Sequence, residues 1–269
     1  MDYIEIYIQQ VSGEKRDILI SLLAESGFES FIDENHDLRA YVPLKDYLRH
    51  KVTQICLMQD ITFTEQLIPD QNWNAEWEKN FEPVLIAGKC YVRAPFHLSR
   101  PEFPYELIIE PKMSFGTAHH DTTALMIEEM LEMDIRGKRV LDMGCGTGIL
   151  AILAEKMGAS EIHAVDTDEW AFNNTQENCG RNNTSRVVVT MGDISAVDAS
   201  CDIILANINR NVLLQQIPEY SKHIRNGDLL MSGFYENDLE KITEMSVLHS
   251  FRFDHYRKKN EWVVTRFMK

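Results

Sequence analysis

The chain is short of basic residues, has no paired cysteine motif, and lacks any long apolar run. Its 27 Lys and Arg stand against 42 Asp and Glu in 269 residues, a formal net charge of −15. Broad binding to a phosphate backbone draws its affinity from clustered cations, so no direct nucleic-acid partner is expected. An acidic surface serves solubility or attracts a basic macromolecule. The 5 cysteines (Cys56, Cys90, Cys145, Cys179, Cys201) are odd in number and scattered, with no Cys-x-x-Cys spacing; that excludes a disulfide framework and gives no zinc signature. No stretch approaches the roughly 20 apolar residues of a membrane span. Met1-Asp2-Tyr3-Ile4-Glu5 carries neither the basic region nor the apolar core of a signal peptide, and a cytoplasmic protein with no membrane partner is expected. His119, His120 and Asp121 stand in a row, but adjacent residues rarely chelate one ion, so no metal is expected.

What is present centres on Val140 to Gly148, Val-Leu-Asp-Met-Gly-Cys-Gly-Thr-Gly, followed by the helical apolar pattern of Ile149, Leu150, Ile152 and Leu153. This reads as a buried strand, a tight turn and a helix. Glycines at alternate positions, Gly144, Gly146 and Gly148, admit positive φ and let a ligand approach where a Cβ would block it. A dinucleotide site wants Gly-x-Gly-x-x-Gly; here the pattern is Gly-x-Gly-x-Gly with Asp142 two residues ahead. That looks like the first motif of the class I S-adenosylmethionine-dependent methyltransferases, with Asp142 and the turn facing the methionine end. A second strand, Glu161 to Val165, ends at Asp166, about 20 residues on, where a carboxylate at a parallel strand tip accepts hydrogen bonds from ribose hydroxyls. Cys145, inside the turn where a small residue is needed, reads as packing rather than as a nucleophile.

Taken in order, residues 2–10 alternate Ile4, Ile6, Ile8 against Tyr3, Glu5, Tyr7, a half-buried strand. A helix over 14–26 stopped by Gly27, strands over 28–33 and 37–42, a helix over 45–58 and a strand over 61–68 complete a strand-helix-strand-strand-helix-strand order. That is a small ferredoxin-like α+β domain over 1–68, a binding module or a structural cap. Trp73 and Trp77, one helical turn apart, suggest a linker helix over 69–81. Residues 82–269 form the larger domain, opening with irregular strands to about 110. In it Phe115-Gly116-Thr117 leads a loop into Thr122 and Thr123, which sit as N-cap or first-turn residues of an amphipathic helix over 124–131. Asp193, after the strand over 187–191, either reaches an adenine amino group or caps a helix. Asn207 ends the strand over 201–206. A helix over 212–224, a strand over 229–233, a helix over 239–245, and two last strands joined by Arg257-Lys258-Lys259-Asn260 follow. The fold expected is α/β: a Rossmann-like, seven-stranded class I methyltransferase domain, parallel and doubly wound, with a terminal hairpin.

On Phe115-Gly116-Thr117 with Thr122-Thr123, the Asp142 to Gly148 turn, Val165-Asp166-Thr167-Asp168 and Ala206-Asn207-Ile208, the whole chain resembles the bacterial ribosomal protein L-eleven methyltransferases. The resemblance implies methyl transfer from S-adenosyl-L-methionine, leaving S-adenosyl-L-homocysteine, to amino groups of that ribosomal protein, and a monomeric enzyme whose N-terminal domain recognises the substrate. It also implies Thr123, Gly144, Asp166 and Asn207 as cofactor-site positions. Two departures stand out: Ala118 where the family often has glycine, and Asn209-Arg210 where an apolar residue is common. The chemistry of the residues agrees with an amine acceptor. Asn207 offers an uncharged acceptor oxygen that orients an amine through N–H···O bonds, or else caps the next helix; His119 is the one candidate base. The alternatives are an N-methyltransferase of the same fold acting on another protein or small amine, and a non-catalytic S-adenosylmethionine-binding module on the ribosome.

Overall fold

Alternation of apolar and polar residues builds the first sheet. In the computed structural model, which describes residues 2–11, 13–34, 36–68, 81–112, 114–197 and 200–269, Ile4, Ile6 and Ile8 of β1 (Tyr3–Ile8) are buried while Tyr3, Glu5 and Tyr7 are only partly covered. Strands β2 (Ser30–Glu34), β3 (Asp37–Pro43) and β4 (Thr64–Ile68) join it in the order β2-β3-β1-β4, every pair antiparallel. Helices α1 (Gly13–Glu25) and α2 (Arg49–Met58) send Leu19, Leu23, Val52 and Cys56 into the same core as the three isoleucines. Gly27 ends α1 at φ +99°, its N–H donating to Ala24 and that of Phe28 to Leu23, the paired closure a left-handed residue makes possible. The second helix begins later than its apolar pattern suggests, because Leu44–Asp46 form a separate 3-10 turn behind Pro43. The linker helix expected over 69–81 lies outside the described residues except for Phe81.

The chain divides into two units, Met1–Asn80 and Phe81–Lys269. The second opens with a three-stranded sheet, β5 (Val84–Ile86), β6 (Cys90–Arg93) and β7 (Tyr105–Ile108). Its main sheet has seven strands in the order β10-β9-β8-β11-β12-β14-β13. Here β8 is Arg139–Met143, β9 Glu161–Asp166, β10 Val187–Met191, β11 Cys201–Asn207 and β12 Ile224–Tyr235, all mutually parallel. The hairpin β13 (Arg252–Lys259) and β14 (Trp262–Met268) adds two antiparallel strands at the β12 edge.

Period-two alternation splits the buried strand residues between two cores. Val140, Ile203, Leu205 and Leu230 face α3 (Asp121–Met130) and α4 (Ile149–Lys156). Leu141, Ile204, Ala206 and Met231 face α6 (Arg210–His223) and α7 (Leu239–Leu248). Helix α5 (Glu169–Arg181) follows β9. Among the described residues no helix is long and apolar enough to cross a membrane.

The hairpin turn falls at Asn260 and Glu261, later than the basic run Arg257-Lys258-Lys259 suggests. Those three residues remain in the strand because each meets a carboxylate: Arg257 pairs with Glu129 and Glu132, Lys258 with Glu236 at 2.6 Å, and Lys259 with Asp121 at 3.2 Å.

Candidate active site

Parallel strands carry their loops at one end, and here the tips of β8, β9, β10 and β11 enclose a cleft of about 760 Å³. At the tip of β8 the turn takes Gly144 to φ +70° and Gly146 to φ +57°. Both positions are closed to a side chain. A Cβ on Gly144 would stand 2.2 Å from Ile208 Cγ2, and one on Gly146 would stand 2.3 Å from the Phe115 carbonyl oxygen. The turn is tied to its neighbours through the backbone: Gly144 N–H donates to Val165 O at 2.8 Å, and Thr147 N–H to Phe115 O at 3.0 Å.

The two aspartates flanking the turn have different surroundings. Asp142 is buried beneath it, Oδ2 accepting from Ala151 N–H at 3.1 Å. Burial pushes its carboxyl up to about 7; the Ala151 N–H opposes that rise and the nearby Asp166 charge adds to it. Asp166 lines the cleft, with Oδ2 accepting from Gly146 N–H and Oδ1 from Asp168 N–H, each at 3.0 Å. A carboxylate offers about four lone-pair sites, so two are left for a ligand. Asp193 also lines the cleft; its Oδ1 caps the 3-10 turn Ile194–Ala196 through Ser195 N–H at 2.9 Å and Ser195 Oγ at 2.5 Å. These bonds hold its carboxyl below the usual range.

Asn207, at the tip of β11, joins this cleft to a second cavity of about 220 Å³. Its Nδ2 donates to Thr123 Oγ1 at 3.3 Å, while its Oδ1 is buried with no hydrogen-bond partner. A buried, unpaired acceptor is costly, so this oxygen points to a donor from a ligand. The second cavity has an aromatic wall: Phe115 and His120 meet edge to face with centroids 5.1 Å apart, and His120 and Trp262 do so at 4.8 Å. His120 is the N-cap of α3; its Nδ1 accepts from Thr122 N–H at 3.3 Å. Thr122 and Thr123 are thus buried first-turn residues rather than the cap.

Of the residues singled out by sequence, Phe115, Gly144, Gly146, Asp166, Asp193 and Asn207 line the cleft. Asp142, Gly148 and Thr123 stand behind its wall, and Gly148, at φ +77°, serves as the N-cap of α4. Gly116 and Thr117 hold the loop instead of lining the cavity: Gly116 O accepts from Thr147 Oγ1 at 2.6 Å, and Thr117 O faces the His119 ring at 3.1 Å. Ala118 is buried at φ +68°. His119 lines neither cavity, and its two ring nitrogens lie against the carbonyl oxygens of Thr117 and Glu82. Asn209 caps α6 through Val212 N–H, and Arg210 pairs with Asp238 at 2.6 Å. Among the lining residues that sequence reasoning missed are His120, Trp262 and Trp170. The helix-start pattern before Thr122 marked the neighbourhood of His120, but nothing local marks Trp262, which arrives from the far end of the chain.

A doubly wound parallel sheet with a glycine turn at one strand tip and a carboxylate at the next defines a Rossmann-like protein of the class I methyltransferase type. Solved structures agree. A ribosomal protein L11 methylase from Lactobacillus delbrueckii subsp. bulgaricus superposes with a TM-score of 0.65 at 26% identity, covering 70% of this chain and 98% of that one. A methyltransferase from Pyrococcus furiosus shares the fold, with a TM-score of 0.50 at 21% identity over 61% of this chain and 89% of its own. The family described as ribosomal protein L11 methyltransferase (PrmA) matches residues 7–269. A ribosomal protein L11 methyltransferase of Porphyromonas gingivalis is 46% identical over 93% of this chain and 90% of its own length, and that of Chlorobaculum tepidum is 35% identical over 83% and 82%. The chain belongs to the ribosomal protein L11 methyltransferase family.

Proposed function

We propose that the chain transfers methyl groups from S-adenosylmethionine to amino groups of ribosomal protein L11, on lysine side chains and the N-terminal amine. Family membership supports the donor and the substrate; the observation that carries the amine chemistry is the buried, unpaired Oδ1 of Asn207 where the two cavities meet. The residues present fit the donor: Gly144 and Gly146 line the cleft with no side chain of their own, and Asp166 keeps two spare lone-pair sites for ribose hydroxyls.

When bound, S-adenosylmethionine supplies an electrophilic methyl on a sulfonium, open to in-line displacement. The protein's task is alignment and dryness. Asn207 Oδ1 accepts an N–H of the entering amine and turns its lone pair toward the cleft; Thr123 holds the amide in place. An ammonium is drawn to the aromatic wall by the ring quadrupoles. A lysine of ordinary pKa about 10.4 must lose its proton to attack, and withdrawal from water favours the neutral form. The described lining of the smaller cavity holds no carboxylate. Nδ1 of His120 is engaged by Thr122, whose hydroxyl lies 2.8 Å and whose N–H lies 3.3 Å from it. The proton therefore leaves to water as the amine enters.

The N-terminal unit is read as a ferredoxin-like recognition domain, whose order β2-β3-β1-β4 leaves Tyr3, Glu5, Tyr7, Arg39 and Tyr41 on the face away from its helices. The net charge of −15 suits a basic protein substrate. Mass spectrometry of unmethylated ribosomal protein L11 incubated with the enzyme and S-adenosylmethionine tests the reading. Mass gains in one-methyl steps, mapped to lysines or the N-terminus, are expected. Cofactor binding with no gain would place the substrate elsewhere.

A further inference from the structure

Asp121 stands between two residues that line the 220 Å³ cavity, His120 and Thr122, and does not line it itself. Its carboxylate reaches instead to the tip of the β13-β14 hairpin, 139 residues on: Oδ2 accepts from Asn260 Nδ2 at 2.6 Å, and Oδ1 lies 3.2 Å from Lys259 Nζ. These contacts, the Asn260 bond foremost, hold the carboxyl below its usual range. The tip is a two-residue turn with Asn260 at φ +53°, a left-handed position that asparagine adopts more readily than most residues. Across it Lys259 pairs with Trp262, and directly opposed residues of an antiparallel pair share a face. The side that meets Asp121 is therefore the side that carries the indole, which packs edge to face on His120 with centroids 4.8 Å apart. Two adjacent residues of the helix start, His120 and Asp121, thus grip one hairpin tip, one through a ring and one through a hydrogen bond. The same helix start holds Thr123 against Asn207.

We propose that the Asp121–Asn260 bond is a clamp that holds the Trp262 wall of the smaller cavity in place against His120, which makes Asp121 a positioning residue for methyl transfer. This rests on the reading of that cavity as the place where the acceptor amine enters. A partly exposed ion pair such as Asp121–Lys259 contributes little by itself; the bond to Asn260 is directional and fixes where the turn sits. Without it the tip keeps its ring contacts and its other anchor, Glu261 O accepting from Glu236 N–H at 3.1 Å, about which the indole can tilt. The amine then loses alignment with the methyl, while the donor cleft, lined by neither Asp121 nor Trp262, is untouched.

The test is single-turnover methylation of unmethylated ribosomal protein L11 by the full chain, with calorimetric titration of S-adenosylhomocysteine in parallel. Asp121→Ala is expected to slow single turnover about 10-fold, inside the range that small misplacements of reacting groups produce, with affinity for S-adenosylhomocysteine within about 2-fold. Asn260→Gly, which keeps the left-handed turn but loses the amide, should slow it to the same extent, and the double variant no further. Asp121→Asn keeps an oxygen for Asn260 and gives up only the charge, so its rate should stay within about 2-fold of the unsubstituted protein. Arg257→Ala loosens the same hairpin from the far end of α3; it should lower the melting temperature and leave single turnover within about 2-fold. An unchanged rate in Asp121→Ala overturns the proposal, as does an equal slowing in Asp121→Asn or in Arg257→Ala. If the unsubstituted chain binds S-adenosylhomocysteine but does not methylate the ribosomal protein, the acceptor reading itself falls, and the clamp with it.

Discussion

Asn207 does two things with one amide: Nδ2 is spent on Thr123, and Oδ1 is left buried and open. If the open oxygen orients the acceptor amine, Asn207→Ala should lower kcat about 100-fold, the scale on which a small misplacement of reacting groups is felt. Affinity for S-adenosylhomocysteine should then change by less than about 5-fold. Single-turnover methylation with a parallel binding titration separates the two, and an equal loss in both would assign Asn207 to holding the donor instead. Asp142 makes a different prediction. Its carboxyl is raised to about 7 in the fold against an ordinary value of about 3.9, so the folded state binds more protons than the unfolded chain between those values. Stability therefore falls as pH rises from about 4 through about 7. Asp142→Asn removes that loss while keeping an oxygen for Ala151. Its melting temperature should equal that of the unsubstituted protein near pH 4 and exceed it by a growing margin up to pH 8; a gap independent of pH would contradict the assignment.

The β13-β14 hairpin is the element whose course the sequence pattern misplaced. A run of three cations looks like a solvated turn, and it stays in the strand because the carboxylates that meet it come from α3 and from the 3-10 turn Glu236–Asp238 that follows β12. The tightest tie is at Glu129, whose side chain is 2% exposed: Oε1 lies 3.0 Å from His255 Nε2, and Oε2 forms an ion pair with Arg257 Nε at 2.7 Å without hydrogen-bond alignment. Burial by itself would lower His255, but its bonds to Glu129 and Asp254 prevail and raise it. Removing one partner of a buried pair strands the other charge at a cost of about 3 kcal/mol or more. Arg257→Ala should accordingly lower the melting temperature by on the order of 10 °C. Glu132→Gln, which touches the same arginine from a side chain 59% exposed, should cost under about 1 kcal/mol. Thermal unfolding of the two variants checks both values, and equal effects would refute the special weight of Glu129.

Across the whole molecule the acidic balance, 42 Asp and Glu against 27 Lys and Arg, acts on encounter with a basic substrate and leaves the chemical step alone. Between about 50 and 300 mM salt the KM for ribosomal protein L11 should rise about 3- to 10-fold with kcat unchanged, because screening shortens the reach of the field. Steady-state methylation over a salt series measures it. A flat KM would mean that apolar contacts carry recognition.

Much of this protein is local in its sequence. The alternation in Tyr3–Ile8 and the apolar period of Ile149–Lys156 fall where the elements are because a strand buries every second residue and a helix every third or fourth. The turn from Gly144 to Gly148 is legible because only glycine combines positive φ with the space left by Ile208 and Phe115. What stayed hidden depends on residues far apart in the chain. His120 and Trp262, 4.8 Å apart in one aromatic wall, belong to opposite ends of the second unit. Asp142 and Asp166 look alike as sequence, each an aspartate in a strand that leads into a turn. Only the packing of α4 over Asp142, and the opening of the cleft beside Asp166, buried one carboxylate and left the other able to bind a ligand.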